Sequence, residues 1–158
     1  IPADLEPFLL TQRAAFRCHA ERSTAFLTWR FLNHPHTRYE LATVRTAGSG
    51  ELRGYAVYRP AEFMGRQLGL LMDVMVEPGD HAALAELVQW ASERAKQDEK
   101  NGLFFLTTPA LPWFGLLQEW GFRAQATDYV LAARTYAVVE PAYLRAHWTY
   151  TLADFDIL

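Results

Sequence analysis

Apolar positions recur at helical spacing twice before the chain begins to alternate. Leu5, Phe8, Leu9 and Phe16 follow Asp4, a residue type that caps helices, and predict a first helix ending near His19. Ser23 or Thr24 caps a second run through Phe26, Leu27, Trp29, Arg30 and Phe31, which Pro35 stops because it lacks an N–H. Over residues 38–45 the pattern turns to strand, and Gly48-Ser49-Gly50 separates it from a second strand at 52–59, so the pair reads as a hairpin. After a loop over residues 60–65, the stretch 68–76 is nearly continuous in apolar side chains, as expected of a central strand covered on both faces.

Pro78-Gly79 ends that strand, and Asp80 caps a helix whose apolar face is Ala83, Leu84, Leu87, Val88, Ala91 and Ala95. Asn101-Gly102 stops the helix before a buried strand at 103–106, and the order strand, helix, strand implies a parallel pair. Pro112, Trp113, Leu116, Leu117, Trp120 and Gly121 outline a short helix, and a strand or hairpin is predicted over 122–136. Past Pro141, residues 147–152 alternate enough to predict an added edge strand.

The chain of 158 residues is 51% hydrophobic, which suits one domain over 1–158 with its core at about 26–136 and no internal boundary. A net charge of -3, with no basic run, gives no footprint for nucleic acid or an anionic membrane. A lone Cys18 and the absence of a long apolar stretch fit a reducing, cytoplasmic setting. The opening Ile1-Pro2-Ala3-Asp4 has no initiator Met and no signal region, as expected of a processed product or an excised piece. Aromatic residues make up 14% of the chain, enough for a large core, an apolar interface or a ligand groove.

The element order resembles that of the GNAT acyltransferase superfamily over residues 26–134. Its local anchors are Glu51-Leu52-Arg53-Gly54-Tyr55-Ala56-Val57, Asp73-Val74-Met75-Val76-Glu77-Pro78 and Leu117-Gln118-Glu119-Trp120-Gly121-Phe122. Trp29-Arg30-Phe31-Leu32-x-His34-Pro35 and the Asp154-x-Asp156 ending are similar to a branch built as longer, two-half chains. The resemblance implies an α/β (α+β) fold, with a mixed, mostly antiparallel sheet, a splayed parallel strand pair and flanking helices. It also implies an N-acyltransferase that moves an acyl group from acetyl-CoA or another acyl-CoA to a small-molecule amine, alone, as a homodimer or beside a second GNAT-like half. The alternative is a non-catalytic GNAT-like half, a scaffold or binding domain with a degenerate acyl-CoA site.

The same resemblance places Asp73 as general base, Val74 and Val76 as backbone contacts to the acyl donor, and Gly79 and His81 at the phosphate turn. Trp29 and Arg30 are the candidate acceptor contacts. Free N–H groups at a helix N-terminus favour phosphate, but the turn 79–83 lacks the family's glycine-rich pattern and Asp80 puts a carboxylate there. Leu117 stands where many members have the tyrosine that protonates the leaving thiolate, and leucine has no proton to give. The other reading of Asp73 is a structural partner for an arginine; of Arg30, a salt bridge; of the five tryptophans, core or interface. His34, His36, Cys18 and His19 match no standard metal-ligand pattern, and Asp154 with Asp156 reads as a solvated tail rather than a cation site.

Overall fold

The computed structural model describes residues 1–126 and 139–155. Helix α1 (Leu5–Gln12) and the short α2 (Thr24–Leu27) precede the sheet strands β1 (Glu40–Arg45), β2 (Leu52–Phe63) and β3 (Arg66–Val76). Helix α3 (His81–Gln97) then crosses to β4 (Leu103–Phe105), followed by α4 (Phe114–Glu119) and α5 (Pro141–His147). The strands lie in the order β1-β2-β3-β4, antiparallel until β4, which runs parallel to β3 as a crossover helix requires.

Several boundaries differ from the sequence pattern, each for a local reason. Helix α1 stops at Gln12, well short of His19, and Asp4 makes no capping bond because its carboxylate pairs with Arg45 at 2.5 Å. Ser23 does cap α2, accepting from the Phe26 N–H at 3.1 Å, and the helix continues as a π turn over Thr28–Leu32. The expected loop at 60–65 is mostly strand: β2 runs through Pro60 to Phe63 and turns on Met64 and Gly65, both at positive φ. Such a two-residue turn matches strand twist. Pro60 is tolerated because β1 pairs only as far as Tyr58, so its missing N–H costs no ladder bond there.

The tail forms no added strand. Residues 141–147 are α5, Trp148 makes an isolated bridge to Cys18, and a 3-10 turn spans Leu152–Asp154. Residues 122–126 carry no strand, and the remainder of the expected hairpin, 127–136, lies outside the described residues.

Two apolar layers enclose the sheet. Leu5, Phe8, Leu27, Phe31, Tyr55, Val57, Leu70 and Met72 form one with α1, α2 and the Leu152 turn. Ala56, Tyr58, Leu71, Val74 and Val76 pack the other against α3 and α4. Gly69 lets α3 sit close, since a Cβ there would fall 2.6 Å from the Ala95 Cβ.

Candidate functional site

Side chains alternate across β3 until one residue breaks the phase. Val57 pairs with Asp73 and Tyr58 with Leu71, so Met72 is extra and bulges. A bulge re-aims the side chains beyond it. Met72 and Asp73 consequently both face the α1/α2 layer, whereas strict alternation would send Asp73 toward α3.

Asp73 is 2% exposed and fully engaged. Its Oδ2 accepts from Arg22 Nε at 2.9 Å and from the Tyr55 hydroxyl at 2.7 Å. Its Oδ1 accepts from Thr151 at 2.8 Å and from Arg22 Nη2 at 3.5 Å. A carboxylate offers about four acceptor positions, and here each has a donor. Arg22 in turn grips Asp154, with Nη1 and Nη2 each 2.8 Å from a carboxylate oxygen. Burial alone would lower the Arg22 pKa, but the charges of Asp73 and Asp154 outweigh it and hold the guanidinium protonated well above its ordinary range. Burial, then the Asp73 charge, pushes the Tyr55 hydroxyl well above its usual value, so it stays a donor.

Asp154 is therefore no solvated tail. Its Oδ2 accepts from the Thr151 N–H at 2.9 Å while the Thr151 hydroxyl accepts from Ala153, which closes a capping box. Asp156 lies outside the described residues. Arg30 joins the same structure: it is buried, and it donates to the Ala153 carbonyl at 3.2 Å and to the Phe155 carbonyl. Trp29, its neighbour, is 66% exposed and packs on Phe26.

Beside this network, β3 and β4 part company. β4 pairs with Gly69, Leu70 and Leu71 only, and β3 continues to Val76 with β2 alone. The gap holds a cleft of about 30 Å³. Val74 and Met75 form its floor; Phe16, His19 and Arg22 one wall; Leu111 and Trp113 another; Thr149, Tyr150 and Thr151 the third. The C-terminal wall is pinned by the Thr149 N–H to the Cys18 carbonyl at 2.9 Å and by the Thr108 hydroxyl to the Trp148 carbonyl at 3.1 Å. Burial and then the Arg22 charge lower the His19 pKa, which leaves the imidazole neutral near pH 7. Neither Trp29 nor Arg30 is among the lining residues. His19 in this position was not legible in sequence, because the only cue was its neighbour Cys18.

At the far end of β3, Gly79 turns the chain at φ +81 and Asp80 caps α3. The Asp80 carboxylate accepts from the Ala83 N–H at 3.0 Å and takes a two-bond grip from Arg53 at 2.7 and 2.6 Å. That Arg53 bond, ahead of the penalty of burial, lowers the Asp80 pKa. The anion position at the start of α3 is thus occupied by the protein's own carboxylate. His81 begins the helix and is exposed, Val74 and Val76 are buried against α3, and Leu117 is 5% exposed within that layer. No group of three metal-ligating side chains occurs among the described residues, and none of their helices is long and apolar enough to cross a membrane.

No family model matches the chain, and no curated protein does. Solved structures do. A probable acetyltransferase matches at 17% identity and TM-score 0.62, over 83% of this chain and 91% of its own. A transcriptional regulator from Bacillus halodurans C-125 matches at 17% identity and TM-score 0.61, over 84% and 95%. A ribosomal-protein-alanine N-acetyltransferase from Brucella melitensis biovar Abortus 2308 matches at 22% identity and TM-score 0.57, over 82% and 91%. The fold is that of the GNAT acetyltransferases: a mixed sheet, mostly antiparallel with one parallel pair, flanked by helices.

Proposed function

We propose that this chain is an N-acyltransferase-type domain whose own donor site is closed, and that it serves as the non-catalytic half of an acyl transfer to a small amine. One observation carries this reading: Asp80 caps α3 and is clamped by Arg53, so the position a donor phosphate needs is filled by a carboxylate. Two others agree with it. Asp73 has no acceptor position left to take a proton from an amine, and Leu117 has none to give a thiolate. The partner is a second GNAT-like half or a second copy in the cytoplasm, with neither nucleic acid nor membrane involved.

A second reading keeps catalysis in this chain. It is favoured by the parting of β3 from β4, which leaves Val74 and Met75 on the floor of a cleft beyond the last pairing with β4. In that reading acetyl-CoA or a longer acyl-CoA is the co-substrate, held at Val74, Val76, Gly79 and His81.

Calorimetric titration with acetyl-CoA and longer acyl-CoAs separates the two. The closed-site reading expects no heat of binding up to millimolar ligand. Saturable binding in the micromolar range, about -8 kcal/mol, overturns it and restores the transfer reading.

A further inference from the structure

Two arginines of this fold turn the Nε–Nη2 edge of the guanidinium to a carboxylate. Arg22 does so to Asp73, at 2.9 and 3.5 Å, and Arg53 to Asp80, at 2.7 and 2.6 Å. The planar fork of donors matches a carboxylate in shape as well as charge. Arg59, on β2, has no such partner. It is 9% exposed, its Nε is buried without a hydrogen bond, and among the described residues it makes one bond, from Nη1 to the Thr37 hydroxyl at 3.3 Å. Glu40, at the start of β1, is taken by Arg94. The Tyr39 ring lies 5.5 Å from the Arg59 guanidinium carbon, which offsets part of the cost of burying the charge but leaves the N–H edge unbonded. Tyr39 is itself buried, and its hydroxyl also has no partner. Adjoining buried donors are rarely both left so.

We propose that Arg59 and Tyr39 form a binding site for a small free carboxylate, which bridges the Arg59 Nε–Nη2 edge and accepts a further bond from the Tyr39 hydroxyl. One guanidinium suits one negative charge, and its flat fork favours a carboxylate over a dianionic, tetrahedral phosphate. The site is covered by the surface loop 33–38: Thr37 and His34, whose ring meets the Tyr39 ring at 5.7 Å, are half-buried, and Asn33, Pro35, His36 and Arg38 are exposed. An entering carboxylate displaces the Thr37 hydroxyl, whose bond to Arg59 is long. Arg59 pairs with Leu70, toward the start of β3, whereas the cleft beside Asp73 is floored by Val74 and Met75 and includes neither Arg59 nor Tyr39. This site is therefore separate from the cleft of either reading above, and its occupancy depends on no acyl donor.

The test is a titration of the intact, isotopically labelled chain with sodium acetate at constant ionic strength, following the Arg59 Nε–H and the Tyr39 ring by NMR. Saturable shifts at both, with a dissociation constant on the order of millimolar, are expected. Acetamide, which has the shape without the charge, and inorganic phosphate should each bind at least about tenfold more weakly. Tyr39→Phe removes a hydroxyl that bonds to nothing, so the melting temperature should hold while acetate binds about threefold more weakly or worse. Arg59→Gln should abolish the shift of the Tyr39 ring. No saturable shift by about 100 mM acetate, acetamide or phosphate matching acetate, or an unchanged affinity in Tyr39→Phe overturns the site. Should Arg59→Gln fail to fold, the comparison of acetate, acetamide and phosphate on the unaltered chain still decides.

Discussion

Replacing Asp73 by Asn removes one charge and almost no volume, and the structure makes it a severe change. Arg22 would keep Asp154 but lose the charge on its Nε partner, and the new NH2 would face donors on whichever side it took, Tyr55 with Arg22 Nε or Thr151 with Arg22 Nη2. Breaking one member of a buried ion pair costs about 3–5 kcal/mol, chiefly because the remaining charge stays buried. Domains of this kind hold only about 5–15 kcal/mol in total, so the loss should lower the melting temperature by roughly 6–20 °C. Urea unfolding followed by tryptophan fluorescence measures it directly. A double-mutant cycle of Arg22→Met with Asp73→Leu should show the pair costing less than the sum of its singles by roughly 2 kcal/mol. If Asp73→Asn unfolds within about 0.5 kcal/mol of the parent, the carboxylate is no structural anchor, and its role as a free base returns.

The Asp80 cap predicts a smaller, separable effect. Asp80→Ala should cost about 1 kcal/mol through the lost bond to Ala83, whereas Asp80→Asn keeps the cap and should cost a few tenths, both read from the urea midpoint. His19 predicts a slope with pH. Its folded pKa is lowered, so the unfolded chain takes up a proton first, and stability should be complete above about pH 6.5, fall as pH drops from there to the folded value, and level off below it. His19→Asn should flatten that fall below about pH 6.5, and an unchanged slope would refute it.

Much of the architecture was legible because local pattern and tertiary environment agree. The α3 face of Ala83, Leu84, Leu87, Val88, Ala91 and Ala95 is buried as its spacing predicts, and Asp80 and Ser23 cap their helices. The run of apolar residues in β3 announced a strand covered on both sides, and the helix between β3 and β4 required a parallel pair. The extra length of β2 was hidden because Pro60 suggests a break, and only the early end of β1 makes that proline harmless.

The site was less legible because its members meet from distant places in the chain. Asp73 was evident as a carboxylate in an apolar strand, but nothing local names Arg22, Tyr55, Thr151 and Asp154 as its partners, since contacts across such separations leave no periodic trace. The tail looked solvated for the same reason: Arg30 holds it through the Ala153 and Phe155 carbonyls and Arg22 through the Asp154 carboxylate, contacts that no short window contains. The sequence by itself thus determined the helix α3 and the core of strands β1 to β4, because spacing and residue type suffice for them. Only the tertiary structure decided which way Asp73 faces, since one bulged residue, Met72, shifts the phase of β3, and a strand with period two carries no record of where such a slip occurs.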